Sequence, residues 1–241
     1  MLAFISYPLV MWLSVLPQAL SLGVCIFFEE PPHKEAIEQN PFAHLRTSLR
    51  LVLANRRLRL LTLGGALSGS VGEAAYQFRA AFIQTLWPLW AIGLSRTFSS
   101  VAAAVGFYFA GPIIRRFGEY RLLVGGMTVS ELVNLVSLLI PTSLSPTLMS
   151  TNSIFFGINS TAAGALMQHE FTAQQRATMG SITSFATSLL FGLAAPLLGL
   201  LADTLGVREA LLLATGISVI WIGLYARALV GKVKGIEKSH V

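Results

Sequence analysis

The sequence predicts an all-α integral membrane protein with seven transmembrane helices, and three observations carry that prediction. Of its 241 residues, 54% are hydrophobic and 12% are charged, against about a quarter charged in an ordinary soluble domain. Seven apolar runs are each long enough to cross a hydrocarbon core of about 30 Å, which takes about 20 helical residues. The basic residues gather in alternate connections between those runs, as orientation in a bilayer requires. A β-barrel would instead show segments of about ten residues alternating apolar and polar, and these runs are longer and apolar all round. The same composition, with a mean hydropathy of +0.68, excludes an ordinary water-soluble enzyme. It also weakens a nucleic-acid reading of the net charge of +6, which would need a basic cluster on a soluble face. The single cysteine, Cys25, allows no intramolecular disulfide.

The first run covers residues 1–28 with its apolar part at 2–28. It opens at the initiator Met without a flanking basic residue and is too long for the apolar region of a signal peptide. The odd span count and this abrupt start suggest a truncated chain; an anchor helix with its N-terminus outside is the other reading. Residues 29–59 form a linker holding Pro31, Pro32, Asn40 and Pro41. Within and just after it Leu45, Leu49, Val52, Leu53 and Leu60 recur at helical spacing, with Arg46, Arg50, Arg56 and Arg57 interleaved. That pattern suits an amphipathic helix on the cytoplasmic leaflet, and a solvated linker helix fits it equally. The bundle, residues 60–230, follows as runs at 60–86, 88–114, 121–140, 146–168, 177–202 and 209–230, and residues 231–241 are a tail. Of the 17 Lys and Arg residues, all except Arg79, Arg96 and Arg208 fall on one side when the connections are alternated. The positive-inside rule puts that side, with the linker and C-terminus, in the cytoplasm and the N-terminus outside. The expected location is the plasma membrane.

Two stretches carry a resemblance. The segment from Gly111 through Arg115, Arg116 and Gly118 to Arg121 is a short basic hairpin between two runs. It is similar to the Gly-x-x-x-Asp-Arg-x-Gly-Arg-Arg hairpin of the major facilitator superfamily, in the weaker form of that family's C-terminal half. Gly111, Arg116 and Gly118 match; Arg115 stands at the family's Asp and Glu119 at a usual basic position, which bears on the gating salt bridge. By physics alone, Gly118 suits a tight turn and the arginines hold the loop in the cytoplasm. The second stretch, Gln175–Ser181 with Pro196–Gly206, resembles the start and finish of the family's eleventh helix. Glu73–Phe78 resembles its seventh, so the likeness covers most of residues 45–230. The resemblance implies that the seven runs correspond to the sixth through twelfth helices. Six of them would form one half-transporter of two inverted three-helix repeats around a midplane site, with the first five helices lacking.

Small residues at every fourth position let helix backbones approach closely in lipid. Gly64, Ser68 and Gly72 form one such stripe, Gly65 and Gly69 a second, Ser184, Ser188 and Gly192 a third, and Ala195 and Gly199 a further pair. Bundle packing explains them all without a substrate role.

Four charges lie inside apolar runs: Glu73, Arg79, Arg96 and Glu131. Each costs about 3 kcal/mol or more at the bilayer centre, so each must find protein, water or a partner. Glu73 and Gln77 share a helix face, with Tyr76 one turn on. Burial raises a carboxyl pKa, which suits Glu73 to proton carriage; a neutral or Arg-paired Glu73 locking two helices fits as well. Arg79 lies six residues further out, about 9 Å along the helix, a gap that a long side chain partly bridges. Arg79 and Arg96 neutralise the acids or bind an anionic substrate. The resemblance sets Glu131 and Asn134 on a peripheral helix, which suits structural roles. Asn152 and Asn159 share a face with Phe156 between them, either as hydrogen-bonding substrate ligands or as interhelical glue. The sequon at Asn159 lies within the membrane and is not expected to be used.

His169 and Glu170 lack the second His of a zinc-protease motif, and no metal cluster, nucleophilic triad or phosphate loop is visible. No cofactor and no enzymatic activity are expected. The resemblance implies a transporter moving a small solute by alternating access, and the place of Glu73 in its run suits coupling to protons. Its expected partners are the solute, protons, the bilayer and an absent N-terminal half, and no nucleic acid. A non-transporting remnant is the alternative. A seven-span receptor is weaker still, lacking a second Cys, an Asp-Arg-Tyr after the third run and a terminal Asn-Pro-x-x-Tyr.

Overall fold

The computed structural model describes residues 7–27, 41–169 and 173–237, and among these it contains α-helices and one short 3-10 turn but no strand. Helix α1, Tyr7–Cys25, is a separate unit, apolar along its length with Pro17 inside it. The remaining helices are α2 (Pro41–Ala54), α3 (Arg56–Gln84), α4 (Ile92–Phe117), α5 (Glu119–Leu139), α6 (Ser145–Thr151), α7 (Ser153–His169), α8 (Ala173–Leu205) and α9 (Val207–Glu237). Most lie within a few residues of the expected runs, but the run at 146–168 is broken and α9 continues to Glu237, seven residues into the expected tail.

Each boundary has a local cause. Asn55 separates α2 from α3: its backbone is extended, and its side-chain oxygen accepts from Arg57 N at 3.0 Å and Leu58 N at 3.4 Å. This is an N-cap, worth about 1 kcal/mol. Val52 of α2 is buried against Leu58 and Met179, while Arg46, Leu49, Arg50 and Leu53 are exposed. Two glycines, Gly118 at φ +80° and Gly206 at φ +109°, join α4 to α5 and α8 to α9 with no further linker. A side chain is strained there.

The helices interlock in one way throughout. Helix α3 packs on α8 and α9, whereas α7 packs on α4 and α5, and α5 meets α9. The first helix of each three-helix unit therefore packs against the second and third of the other. Helices α3–α5 make one such unit; α6 and α7 together, α8 and α9 make the other, running the opposite way. The two glycine turns consequently lie at opposite ends of the bundle. At one end Arg57 stacks over Tyr120, 5.3 Å from the ring. At the other, Trp87 Nε1 donates to Ser143 O at 2.8 Å, and Arg208 Nε and Nη2 donate to the last carbonyls of α5, Leu138 O at 2.7 Å and Leu139 O at 3.0 Å.

Among the described residues, four helical stretches are long and apolar enough to cross a membrane: Leu89–Phe117, Glu119–Leu139, Met179–Leu205 and Val207–Ala228. Helix α3 is as long but more polar. The run at 146–168 is interrupted at Asn152, where the Asn152 N–H still bonds Leu148 O while Phe155 N bonds back to Asn152 O. The outward surface is apolar, with Tyr108, Phe185 and Val219 among its most exposed side chains, as a lipid-facing skin requires.

The tightest contact in the bundle is α4 on α7. Every buried residue of α4 is small: Ser95, Ser99, Gly106 and Ala110. A Cβ on Gly157 would stand 2.5 Å from Ala103 O and Phe107 N, and one on Gly106 would collide with Ile154 O. The expected stripe of Gly65 and Gly69 does meet α8, through Thr183 and Thr187, and Gly64 meets the Tyr225 ring. The α8 stripe differs from expectation. Ser184, Ser188 and Gly192 are exposed, and nothing lies within 4 Å of a Cβ on Gly192. Thr183 and Thr187, one position round the helix, supply the contact instead, because a single residue step turns an α-helix by about 100°.

Candidate functional site

Three polar features interrupt the apolar bundle, and all three start from α3. The first is an exposed stripe. Glu73 and Gln77 are both exposed, and Gln77 Nε2 donates to Glu73 Oε1 at 2.6 Å across one helical turn. The stripe continues along the helix into a groove of about 370 Å³ lined by Gln77, Phe78, Ala80, Ala81, Gln84 and Ile92.

The second is a buried network. Arg79 points inward, donating from Nη1 to Met149 O at 3.1 Å and from Nη2 to Asn134 Oδ1 at 3.4 Å. Asn152 Nδ2 donates to the same Asn134 oxygen at 3.1 Å, and to Ser130 O and Oγ at 3.0 and 3.1 Å. Asn134 Nδ2 in turn reaches Glu131 Oε2 at 3.5 Å. The network ties α3 and the break between α6 and α7 to α5. A backbone carbonyl and a side-chain amide oxygen thus meet part of the cost of burying the guanidinium. Nearby, the hydroxyls of Ser95 and Ser150 lie 2.8 Å apart, joining α4 to α6.

The third is a stack. The Arg96 guanidinium lies over the Tyr76 ring at 4.1 Å from its centroid, with Nη2 donating to Tyr76 O at 3.3 Å. The Arg79 guanidinium stands 5.5 Å from the same centroid. One aromatic ring thus serves two cations, each contact worth about 1 kcal/mol or more where water is excluded.

These positions separate residues that the sequence suggested together. Arg208 pairs with Glu209 at 3.8 Å, and among the described residues neither Glu73 nor Glu131 pairs with an arginine within 4.0 Å. Six residues turn a helix by about 240°, so Glu73 and Arg79 leave α3 on different faces and the expected bridging does not occur. Glu131 reaches Arg79 only through Asn134. Asn134 is a node of the network, not a peripheral residue. Asn152 and Asn159 are both buried against α5, the latter with its Oδ1 packed on Gly126 and no hydrogen-bond partner on that oxygen. Phe156 is exposed and meets Phe107 edge-on at 6.0 Å. In the hairpin, Arg115 and Arg116 are exposed in the last turn of α4, where cations suit the helix dipole. Gly118 N closes that turn on Ile114 O at 2.8 Å, and Gly111 lies beside Arg115. Glu170 lies outside the described residues, and no group of metal-ligating side chains occurs among those described.

Sequence reasoning missed the seam of Gly106 and Gly157, although Ser95, Ser99, Gly106 and Ala110 form a small-residue stripe that signals it. It also missed Arg208 as a cap on α5, a pairing of residues 69 and 70 positions apart that no local pattern encodes.

No protein-family profile and no curated protein matches the sequence. Solved structures do. A fucose:proton symporter of E. coli, FucP, superposes with a TM-score of 0.71 at 14% identity over 93% of this chain and 55% of its own. A bacterial homologue of the human lysosomal transporter Spinster, in an inward-facing and unoccupied conformation, superposes with a TM-score of 0.65 at 16% identity over 87% of this chain and 56% of its own. The chain therefore spans about half the length of the structures it matches. Its fold is the one these two transporter structures share over that half.

Proposed function

We propose that this chain is part of a secondary transporter that moves a small solute across a membrane by alternating access, with the Glu73–Gln77 stripe on the wall of the solute path. One observation carries the reading: a carboxylate and its amide partner stand exposed on a bundle whose large exposed side chains are mostly apolar. Facing hydrocarbon, an ionised Glu73 costs about 3 kcal/mol or more, so this face is suited to water or to a polar partner. The likeness to a fucose:proton symporter supports coupling to protons, and Glu73 is the exposed intramembrane acid available to carry one. In this reading α3 and the α6–α7 pair also span the bilayer, which with α1 makes seven spans. The basic connections put the C-terminus in the cytoplasm and the N-terminus outside the plasma membrane. The glycine turns then stand at opposite membrane surfaces, as in inverted repeats that rock around a fixed site.

The test is proton movement in proteoliposomes of the full chain loaded with a pH-sensitive dye and challenged with sugars and small carboxylic acids. A solute that drives proton entry in wild type, with entry lost in Glu73→Gln while solute exchange persists, is the expected result. Unchanged proton entry in Glu73→Gln contradicts the role of Glu73.

A further inference from the structure

We propose that the groove beside Gln77 and Gln84 takes a small monocarboxylate, and that Arg96 binds its carboxylate. This rests on the transport reading above and names the substrate class of the same site.

The charge distribution is the starting point. Tyr76 carries Arg96 at 4.1 Å and Arg79 at 5.5 Å from its ring centroid. Among the described residues neither arginine has a carboxylate oxygen within 4.0 Å. Two guanidiniums therefore share one ring, and among the described residues only Arg79 of the two is joined to an acid, Glu131 through Asn134. Arg79 is committed to Met149 O and Asn134 Oδ1 in the buried network. Arg96 makes one hydrogen bond, from Nη2 to Tyr76 O. A guanidinium has five N–H donors in a planar fork, and stacking on an aromatic face leaves the edge of that fork free to meet a carboxylate. The stack also fixes the fork in place, so little side-chain freedom remains to be lost on binding.

The groove supplies the rest. Gln77, which follows Tyr76, lines it, as does Ile92, one helical turn before Arg96. The two glutamines offer amide donors, while Phe78, Ala80, Ala81 and Ile92 offer apolar surface. A volume of about 370 Å³ lies at the small end of ligand sites. A guanidinium one helical turn beyond the lining residue Ile92, apolar walls and small size together describe a monocarboxylate with a short aliphatic or aromatic body. Carried with a proton on Glu73, such an anion would cross without net charge, which avoids the cost of moving a bare ion through the bilayer.

The test uses the purified full chain in detergent, with benzoate and butyrate as probes and benzamide and butyramide as uncharged isosteres. The acids are expected to raise the unfolding temperature with concentration, as a ligand of the folded state does, and the amides to leave it unchanged. Arg96→Gln is expected to weaken benzoate binding roughly tenfold to hundredfold, the range for hydrogen bonds to a charged group, and Arg96→Lys to weaken it less. Equal stabilisation by acids and amides, no stabilisation of folded wild type by either acid, or wild-type benzoate binding in Arg96→Gln each overturn the proposal. The acid–amide comparison is made on wild type, so it decides the matter even if a variant fails to fold. A neutral solute that drives proton entry while neither acid binds overturns this inference and leaves the transport reading standing. Arg96-dependent benzoate binding without proton movement for any solute does the reverse.

Discussion

Replacing Gly157 by alanine probes the α4–α7 seam, a contact between the two three-helix units. The new Cβ would stand 2.5 Å from Ala103 O and Phe107 N and 2.8 Å from Gly106 C. All three are backbone atoms, so no side chain can swing aside, and reaching ordinary contact of about 3.4 Å means parting the helices by nearly 1 Å. Overpacking of this kind costs about 1–3 kcal/mol, and three backbone contacts put Gly157→Ala at the upper end. Against this, replacing a helical glycine by alanine gains up to about 1 kcal/mol in propensity. The clash wins by about 2 kcal/mol, which for a chain of this size lowers the unfolding temperature by about 4–8 °C. Gly192→Ala is the control. It meets nothing within 4 Å, so only the propensity gain remains and its unfolding temperature stays level or rises. Thermal unfolding of both variants in the same detergent is the assay. A Gly157→Ala protein as stable as wild type, or a Gly192→Ala protein that loses as much, refutes the seam.

Three further perturbations address other parts of the frame. Arg208→Gln removes the guanidinium from the last carbonyls of α5 and is expected to cost about 1 kcal/mol, read as a fall in unfolding temperature that Arg208→Lys partly restores. Asn134→Ala takes an acceptor from both Arg79 and Asn152. It is expected to cost about 1–3 kcal/mol for the donors left buried, and Asn134→Asp should recover more than half of it. Gly118→Ala forces a Cβ onto a backbone at φ +80° and is expected to cost about 1–3 kcal/mol, whereas Gly125→Ala, with nothing within 4 Å of its Cβ, should not destabilise.

What the sequence disclosed follows from what the bilayer dictates. Apolar run length is set by membrane thickness, so α5 and α8 lie close to where hydropathy put them, at 119–139 and 173–205. Gly118 was legible because a turn that tight between two apolar runs leaves little choice of residue. The break at Asn152 was not, since no proline or glycine marks it; its side chain is drawn to Ser130 and Asn134, 22 and 18 positions away. Gly106 and Gly157 each show only half of a contact whose other half lies on another helix. The spacing of Glu73 and Arg79 along α3 follows from their sequence separation, but their angle around it was neglected. That angle separates an exposed acid from a buried cation, and with them the open stripe from the internal network.

The central claim is that the Glu73–Gln77 face borders a water-filled path. Its most direct test is labelling of Gln77→Cys in a Cys25→Ser background by a charged, membrane-impermeant maleimide, beside Leu193→Cys on the apolar skin. Leu193 is 60% exposed, so both thiols stand outside the packed core and differ in what bathes them. The account predicts rapid modification at position 77 and almost none at position 193. Equal, slow modification at both would mean that the stripe faces lipid, and would contradict it.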